Sequence, residues 1–286
     1  YSSGSTVYET VSSIKLPSQK TCGRTNTSDV RILGGMPSEL GAWPWVVALG
    51  YRFTKIKLGW LSLYYMWMCG GALISDRYVL TAAHCAVNSS KQILVTVRLG
   101  DLNLDSNVND GSEPIDISIS HIMVHEQYNE QQSYINDIAL LKLEKSVTFN
   151  EFIQPICLPV LSHHRSNKLL DSAPFVAGWG SKSLNGPLSS VLMEIQVPVI
   201  DNAECKRAYY NSKKIIIDDR TICAGSDGKD ACHGDSGSPL MWPSGSQYYL
   251  VGLVSAGLNC GDPEYPGVYT RVSYFVDWIV DKMNNS

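Results

Sequence analysis

From residue 32 onward the chain runs as short apolar stretches parted by clusters of glycine, proline, asparagine and aspartate. Val46–Tyr51, Ala72–Ile74, Tyr78–Ala82, Ile93–Leu99 and Ile115–Ile119 read as strands. So do Ile138–Leu143, Phe175–Trp179, Ile195–Ile200, Tyr248–Val254 and Gly267–Val272. Many short strands with turn residues between them predict an all-β sandwich or barrel architecture. Tyr274–Met283 breaks the pattern, with Phe275, Ile279 and Val280 placed as on one helical face. A closing α-helix packed on the second half of the fold is expected there. Residues 1–21 are rich in Ser and Thr, and their Tyr, Val and Ile follow neither period. They read as a linker or a remnant, not a domain.

Composition narrows the class. A chain of 286 residues holds one large all-β domain or two small ones. A net charge of −4 leaves no footprint for nucleic acid and no basic run for an anionic membrane. The longest apolar run, Leu58–Cys69, is too short and too interrupted to span a bilayer. Eight cysteines, an even number without zinc-type spacing to histidine, point to disulfides and an oxidising compartment. Asn26-Thr-Ser28, Asn88-Ser-Ser90 and Asn284-Asn-Ser286 fit N-glycosylation acceptors. The first residues carry no charged-then-apolar leader, so any signal peptide is expected to be gone. A secreted, extracellular glycoprotein is the expectation.

The chemistry concentrates in Lys229–Leu240, which reads Lys-Asp-Ala-Cys-His-Gly-Asp-Ser-Gly-Ser-Pro-Leu. Ser236 sits between small residues in a tight turn, where a hydroxyl can project. Gly234, lacking a Cβ, lets its amide approach a reacting carbonyl closely. Asp235 has no evident solvent-facing job in so tight a turn, and Asp230 could place a charge at a pocket floor. A Gly-Asp-Ser-Gly tetrad alone makes ordinary turns. A serine hydroxyl becomes nucleophilic only when a base takes its proton, and the base needs an orienting carboxylate. Thr81-Ala-Ala-His84-Cys85 and Asn136-Asp137-Ile138-Ala139-Leu140-Leu141 supply both. The chain order His84, Asp137, Ser236 is one of the orders in which such triads occur.

Residues 32–286 resemble a trypsin-like serine protease of the chymotrypsin family. The match runs through Ile32-Leu-Gly-Gly35, Trp43-Pro-Trp45, Cys69-Gly-Gly71, Thr81–Cys85, Asp137–Leu141, Cys157-Leu-Pro159, Gly178-Trp-Gly180, the serine stretch and Pro266-Gly-Val-Tyr-Thr270. Leu16-Pro17 shortly before Cys22-Gly23, Arg98-Leu-Gly-Asp101, Pro174-Phe-Val-Ala-Gly178 and Tyr274–Ile279 bring it nearest to the arthropod clip-domain proteases of clotting, melanisation and venom. The resemblance implies two packed six-stranded antiparallel β-barrels with a C-terminal helix and the catalytic residues at their junction. It divides the chain into a linker or light-chain remnant, 1–31, and a protease domain, 32–286. It also implies the bridges Cys69–Cys85, Cys205–Cys223, Cys232–Cys260 and Cys22–Cys157, the last tethering the segment before residue 32.

By the same resemblance, His84, Asp137 and Ser236 are the catalytic triad, and the amides of Gly234 and Ser236 form the oxyanion hole. Cleavage after Arg31 would free the α-amine of Ile32 to pair with Asp235. Asp230, with Ser255, Gly257 and Gly267 on the pocket wall, implies cleavage after Arg or Lys. Protein substrates, an upstream activating protease and a serpin-type inhibitor are the implied partners, and catalysis needs no cofactor. Asp101, Asp110 and Glu113 leave two readings open, a structural calcium loop like the family's or an acidic solvated loop.

The chain departs from the family pattern at three places. Ser238 replaces a glycine, Ala256 a tryptophan, and His233 a position that often carries Gln. None touches the triad. A catalytically impaired homologue acting as a binding cofactor is the main rival, although such proteins typically lose the serine. Lys55–Met68, with Trp60, Tyr64, Tyr65, Met66 and Trp67, is long and aromatic. It reads either as a docking surface for a protein or, preferred here, as local packing.

Overall fold

The computed structural model describes residues 16–17, 19, 21–26, 35–57, 60–89, 91–161, 169–170, 172–181, 183, 186–225, 231, 233–258 and 261–286. Arg31, Ile32, Asp230, Cys232 and Cys260 therefore lie outside the described residues.

A two-residue strand, β1 (Met36–Pro37), crosses to the second half of the fold. The next six strands close on themselves: β2 (Val46–Lys57), β3 (Trp60–Leu73), β4 (Tyr78–Thr81), β5 (Gln92–Leu99), β6 (Ile115–Val124) and β7 (Ala139–Leu143). Their order around the barrel is β2-β3-β4-β7-β6-β5, every neighbouring pair antiparallel. Closure removes the sheet edges and turns one face of each strand inward. Leu49, Leu73, Leu80, Leu99, Leu140 and Leu141 are fully buried there.

The remaining strands are β8 (Phe175–Gly178), β9 (Met193–Gln196), β10 (Val199–Ile200), β11 (Thr221–Ala224), β12 (Pro239–Ser244), β13 (Gln247–Ala256) and β14 (Gly267–Arg271). With β1 they form an eight-stranded sheet ordered β1-β9-β8-β12-β13-β14-β11-β10. This second half is a curled half-barrel, not a second closed six-stranded barrel: its order runs from β1 at one edge to β10 at the other without closing among the described residues. The stretch expected as one strand, Ile195–Ile200, is split into β9 and β10 around Pro198, which has no N–H for a ladder.

Two short helices, α1 (Ala83–Ala86) and α2 (Asn202–Ala208), interrupt the strands, and α3 (Val272–Asn284) closes the chain. Val272, Phe275, Val276, Ile279 and Met283 form the buried face of α3. The helix touches β13 of the second sheet, but it also grips the first barrel. Trp278 donates to Glu126, Lys282 pairs with Glu126 at 2.6 Å, and Phe275 meets the His125 ring edge-on. Between the two halves, Trp43 and Trp45 pack with Phe175 and Tyr248.

The hairpin β2–β3 outruns the barrel rim. Its register continues unbroken from Tyr51↔Met66 to Lys57↔Trp60. Leu63, Tyr64, Tyr65 and Met66 are exposed there, whereas Trp67 and Met68 pack against the core, so the preferred reading of this stretch as local packing holds for its base and not for its outer part.

Candidate active site

His84 sits in the single-turn helix α1, directly after β4. Its neighbour Cys85 is bonded to Cys69 of β3, which pins this turn to the barrel wall. Asp137 lies just before β7 and is fully buried. The preceding Asn136 takes a left-handed φ of 59°, a conformation Asn tolerates better than most residues. A buried carboxylate requires several hydrogen bonds. Asp137 Oδ1 accepts the backbone N–H of His84 at 2.9 Å, and Oδ2 lies 2.8 Å from His84 Nδ1. Ser255 on β13 donates to the same Oδ2 at 2.6 Å, and Thr270 on β14 donates to the Asp137 carbonyl at 2.8 Å. The first barrel supplies the acid and the imidazole; the second sheet clamps the acid. With Nδ1 engaged by Asp137, Nε2 is the ring nitrogen left for a proton acceptor's role.

Burial pulls the His84 pKa down. The Asp137 charge, its hydrogen bond and the more distant Glu130 charge together outweigh that and lift it above the ordinary imidazole value. The Tyr134 and His84 rings meet nearly perpendicular, their centroids 6.0 Å apart.

Ser236 lies in the turn before β12 and faces the same cleft of about 590 Å³ as His84. Gly234 and Gly237 flank it with φ of 97° and 77°. A Cβ on Gly234 would strike Leu188, and one on Gly237 would strike Thr81 and the Gly70 carbonyl. This turn can be built only with glycine at both places. Gly70 N donates to Ser236 O at 2.7 Å, and Gly237 N to Val254 O at 2.8 Å, so both halves of the fold hold the loop. The Asp235 carboxylate accepts from Gly180 N at 2.8 Å. Gly178 and Gly180 leave it room, since a Cβ on either would meet the carboxylate.

Ser255, Gly257 and Gly267 line the cleft, with Ala256 and the exposed His233 beside them. Ser238 is buried against Gly70 and Gly178, and its hydroxyl has no hydrogen-bond partner among the described residues. Among the described residues three disulfides are formed, Cys22–Cys157, Cys69–Cys85 and Cys205–Cys223, while the expected Cys232–Cys260 lies outside them.

Of the acidic trio, two members meet. Ser112 Oγ lies 2.6 Å from Asp110 Oδ1 and 3.4 Å from Asp101 Oδ1, while Asp110 Oδ2 is buried without a hydrogen-bond partner among the described residues. Glu113 stays exposed. The residues whose roles sequence reading missed are Tyr134, in a stretch with nothing to mark it, Thr270, quoted only as the end of the Pro266-Gly-Val-Tyr-Thr270 stretch, and Ser112.

A closed six-stranded barrel beside a curled half-barrel, with a C-terminal helix, is the chymotrypsin-like fold. Residues 32–279 match the family described as Trypsin; the chain belongs to that family and is a serine endopeptidase. It is 48% identical over 265 residues to the venom serine protease Bi-VSP of Bombus ignitus, covering 92% of this chain and 71% of that protein. To the venom protease of Bombus pensylvanicus it is 49% identical over 251 residues, 86% of this chain and 96% of the other. The proclotting enzyme of Tachypleus tridentatus is 43% identical over 270 residues, with 92% and 68% covered. Proteases of this family need no cofactor for catalysis. Among the described residues, no helix is long and apolar enough to cross a membrane.

Proposed function

We propose that His84, Asp137 and Ser236 are the proton relay of a secreted endopeptidase that cuts after Arg or Lys and is switched on by cleavage after Arg31. The observation that carries this reading is the Asp137 carboxylate, which engages His84 twice and Ser255 once beside the cleft that Ser236 shares. The Ser236 hydroxyl attacks the scissile carbonyl as His84 Nε2 takes its proton. Asp137 fixes the tautomer and stabilises the imidazolium. The amides of Gly234 and Ser236 receive the oxyanion, each donor contributing about 2.7–4 kcal/mol. His84 then returns the proton to the leaving amine, and water repeats the sequence on the acyl-serine.

Asp230 at the floor, with Ser255, Gly257 and Gly267 on the wall, selects a long cationic side chain. The Ile32 amine, once freed, pairs with Asp235 and orders the serine turn. In this reading residues 1–31 form the tethered light chain and 32–286 the protease domain. Disulfide use and the venom and clotting relatives support secretion and a place in a proteolytic cascade, with an upstream activating protease and a serpin-type inhibitor as partners. A structural calcium is assigned to Asp101 and Asp110, whose shared Ser112 contact and orphaned Oδ2 suit a hard cation; Glu113 is assigned to its outer edge.

The test is labelling by a fluorophosphonate, with hydrolysis of an arginyl amide, after limited trypsin treatment. Ser236→Ala should abolish labelling and lower kcat by at least about 10⁴-fold with an unchanged melting temperature. Arg31→Gln should block activation. A processed chain that neither labels nor hydrolyses arginyl amides would make it the impaired, cofactor-like homologue instead.

A further inference from the structure

Ser238, one of the three departures from the family pattern, carries a hydroxyl that the proposed chemistry does not use. It follows the serine turn, directly precedes β12, and is only 1% exposed. Its backbone is fully employed. Ser238 N donates to the Asp235 carbonyl at 2.9 Å, and Ser238 O accepts from Val254 N of β13 at 2.9 Å. Its Oγ is buried and has no hydrogen-bond partner among the described residues. A hydroxyl taken out of water and left unpaired destabilises a fold. Alanine would fill nearly the same space without that cost, so the hydroxyl calls for a second arrangement in which it is paired.

The group within reach is the Asp235 carboxylate. Gly178, at the end of β8, leaves a gap that both side chains border. A Cβ there would strike Asp235 Oδ1 and would stand 2.9 Å from Ser238 Oγ. On its other side the hydroxyl faces Gly70 of β3, whose carbonyl already accepts Thr81 Oγ1 at 2.7 Å. The Gly70 amide is engaged as well, donating to the Ser236 carbonyl at 2.7 Å. Gly180 N donates to Asp235 Oδ1 at 2.8 Å. A carboxylate has about four acceptor sites, so Asp235 can take a further donor.

Ser238 is a fixed post and Asp235 sits on a swivel. The post is tied to β13 through its own carbonyl and through Gly237 N, which donates to Val254 O at 2.8 Å. Asp235 stands between Gly234 and Ser236, in a turn whose Gly234 and Gly237 hold φ of 97° and 77°. Glycine can enter and leave such conformations at little steric cost. A carboxylate that turns from Gly180 toward Ser238 therefore draws on the chain at either side of it. There lie the Gly234 amide and the Ser236 hydroxyl of the proposed relay.

Two positions of the carboxylate define two states of the turn. In the proposed activation, the Ile32 ammonium exists only after the cut at Arg31. Before the cut residue 32 offers a neutral amide, and the half-buried Asp235 needs its donors from elsewhere. We propose that Ser238 is the latch of the uncut chain, a positioning residue whose hydroxyl donates to Asp235 and holds the serine turn out of its catalytic shape. The Ile32 amine released at Arg31 takes the carboxylate over, and the Ser238 hydroxyl is left unpaired. The latch rests on the activation reading above and adds to it the group that opposes activation.

The test compares the parent with Ser238→Ala, and with Ser238→Gly should alanine fold poorly, in two forms. One is uncut, secured by Arg31→Gln; the other is processed by limited trypsin treatment. Ser238→Ala should raise the rate of fluorophosphonate labelling of the uncut chain by about tenfold or more, as a hydrogen bond to a charged group ceases to favour the inactive state. In the processed chain the same change should leave kcat/KM on an arginyl amide within about twofold of the parent, since it removes nothing used in the transition state. The melting temperature should move in opposite directions: down in the uncut chain, which loses the bond, and up in the processed chain, which loses an unpaired hydroxyl. A residue that merely fills space would shift both forms the same way. An uncut Ser238→Ala chain that labels no faster than the uncut parent, or melting temperatures shifted in one direction in both forms, overturns the latch. Should the processed parent neither label nor hydrolyse arginyl amides, the enzyme reading falls, and the paired melting temperatures still decide the latch.

Discussion

On β9 the Glu194 carboxylate is buried between the two halves of the fold, and nothing in the chain's periodicity marks it out. Ser38 Oγ and Trp43 Nε1 both donate to its Oε2 at 2.5 Å, and Ser38 N bonds the Leu192 carbonyl at 2.8 Å. These contacts fasten the first described stretch of the protease region to the second sheet. Burial lifts the Glu194 pKa; the Ser38 and Trp43 hydrogen bonds pull it part of the way back, and the Glu39 charge lifts it further. A folded value above the unfolded one means the native state binds the extra proton. That contribution is fully present below the unfolded glutamate pKa and is lost as pH rises through the folded value. The melting temperature of the parent minus that of Glu194→Gln should therefore shift in the parent's favour as pH is lowered toward the ordinary glutamate range. A difference flat across that window would show that the carboxyl does not titrate in this way. Glu194→Ala should destabilise more, by about 1–3 kcal/mol for each buried donor left unpaired.

Among the elements, those that alternate or run apolar without interruption were legible: β2, β5, β7, β13 and β14 fall where the hydrophobic pattern puts them. β12 was not, because Pro239 and Pro243 disguise it as a loop. β11 was lost too, four residues long and holding Cys223. The chemical groups of the site showed themselves through their neighbours, Ala-Ala-His84-Cys85 and Gly-Asp-Ser236-Gly. The clamps did not: Ser255 was reached by resemblance, and Thr270 is a strand threonine until the fold sets it over the Asp137 carbonyl. Long-range pairs of this kind leave no local pattern. The loop after β5 sits between these cases, since its acids were visible but not the Ser112 that joins two of them. Calcium should raise the melting temperature and a chelator lower it. The gain expected from binding the folded state alone is about 2.7 kcal/mol at a hundredfold excess over Kd. Asp110→Asn should erase most of the response while Glu113→Gln keeps it; a parent indifferent to both treatments would remove calcium from the loop.

For the whole molecule, the segment ahead of the protease domain is anchored independently of the peptide bond that would be cut. Cys22 is buried and bonded to Cys157, a bridge spanning 135 residues of sequence. Gly23 N donates to the Pro155 carbonyl, Tyr248 N to the Gly23 carbonyl, and Gln247 Nε2 to the carbonyls of Gln19 and Cys22. The segment thus lies along the β12–β13 hairpin, at the back of the sheet whose other end clamps Asp137. After a cut at Arg31, covalent continuity passes entirely through Cys22–Cys157, while these hydrogen bonds hold the light piece in register. A processed sample should run as one band without reductant and as two with it. Cys22→Ser/Cys157→Ser should also be processed at Arg31, yet it should release the light piece on gel filtration at low protein concentration, because association then becomes bimolecular and carries the cost of lost translational freedom. Its melting temperature should fall more after the cut than before it. Should the cut double variant retain the light piece at nanomolar concentration, the hydrogen bonds and packing around Gly23 would be sufficient by themselves, and the disulfide would not be what keeps the two pieces together.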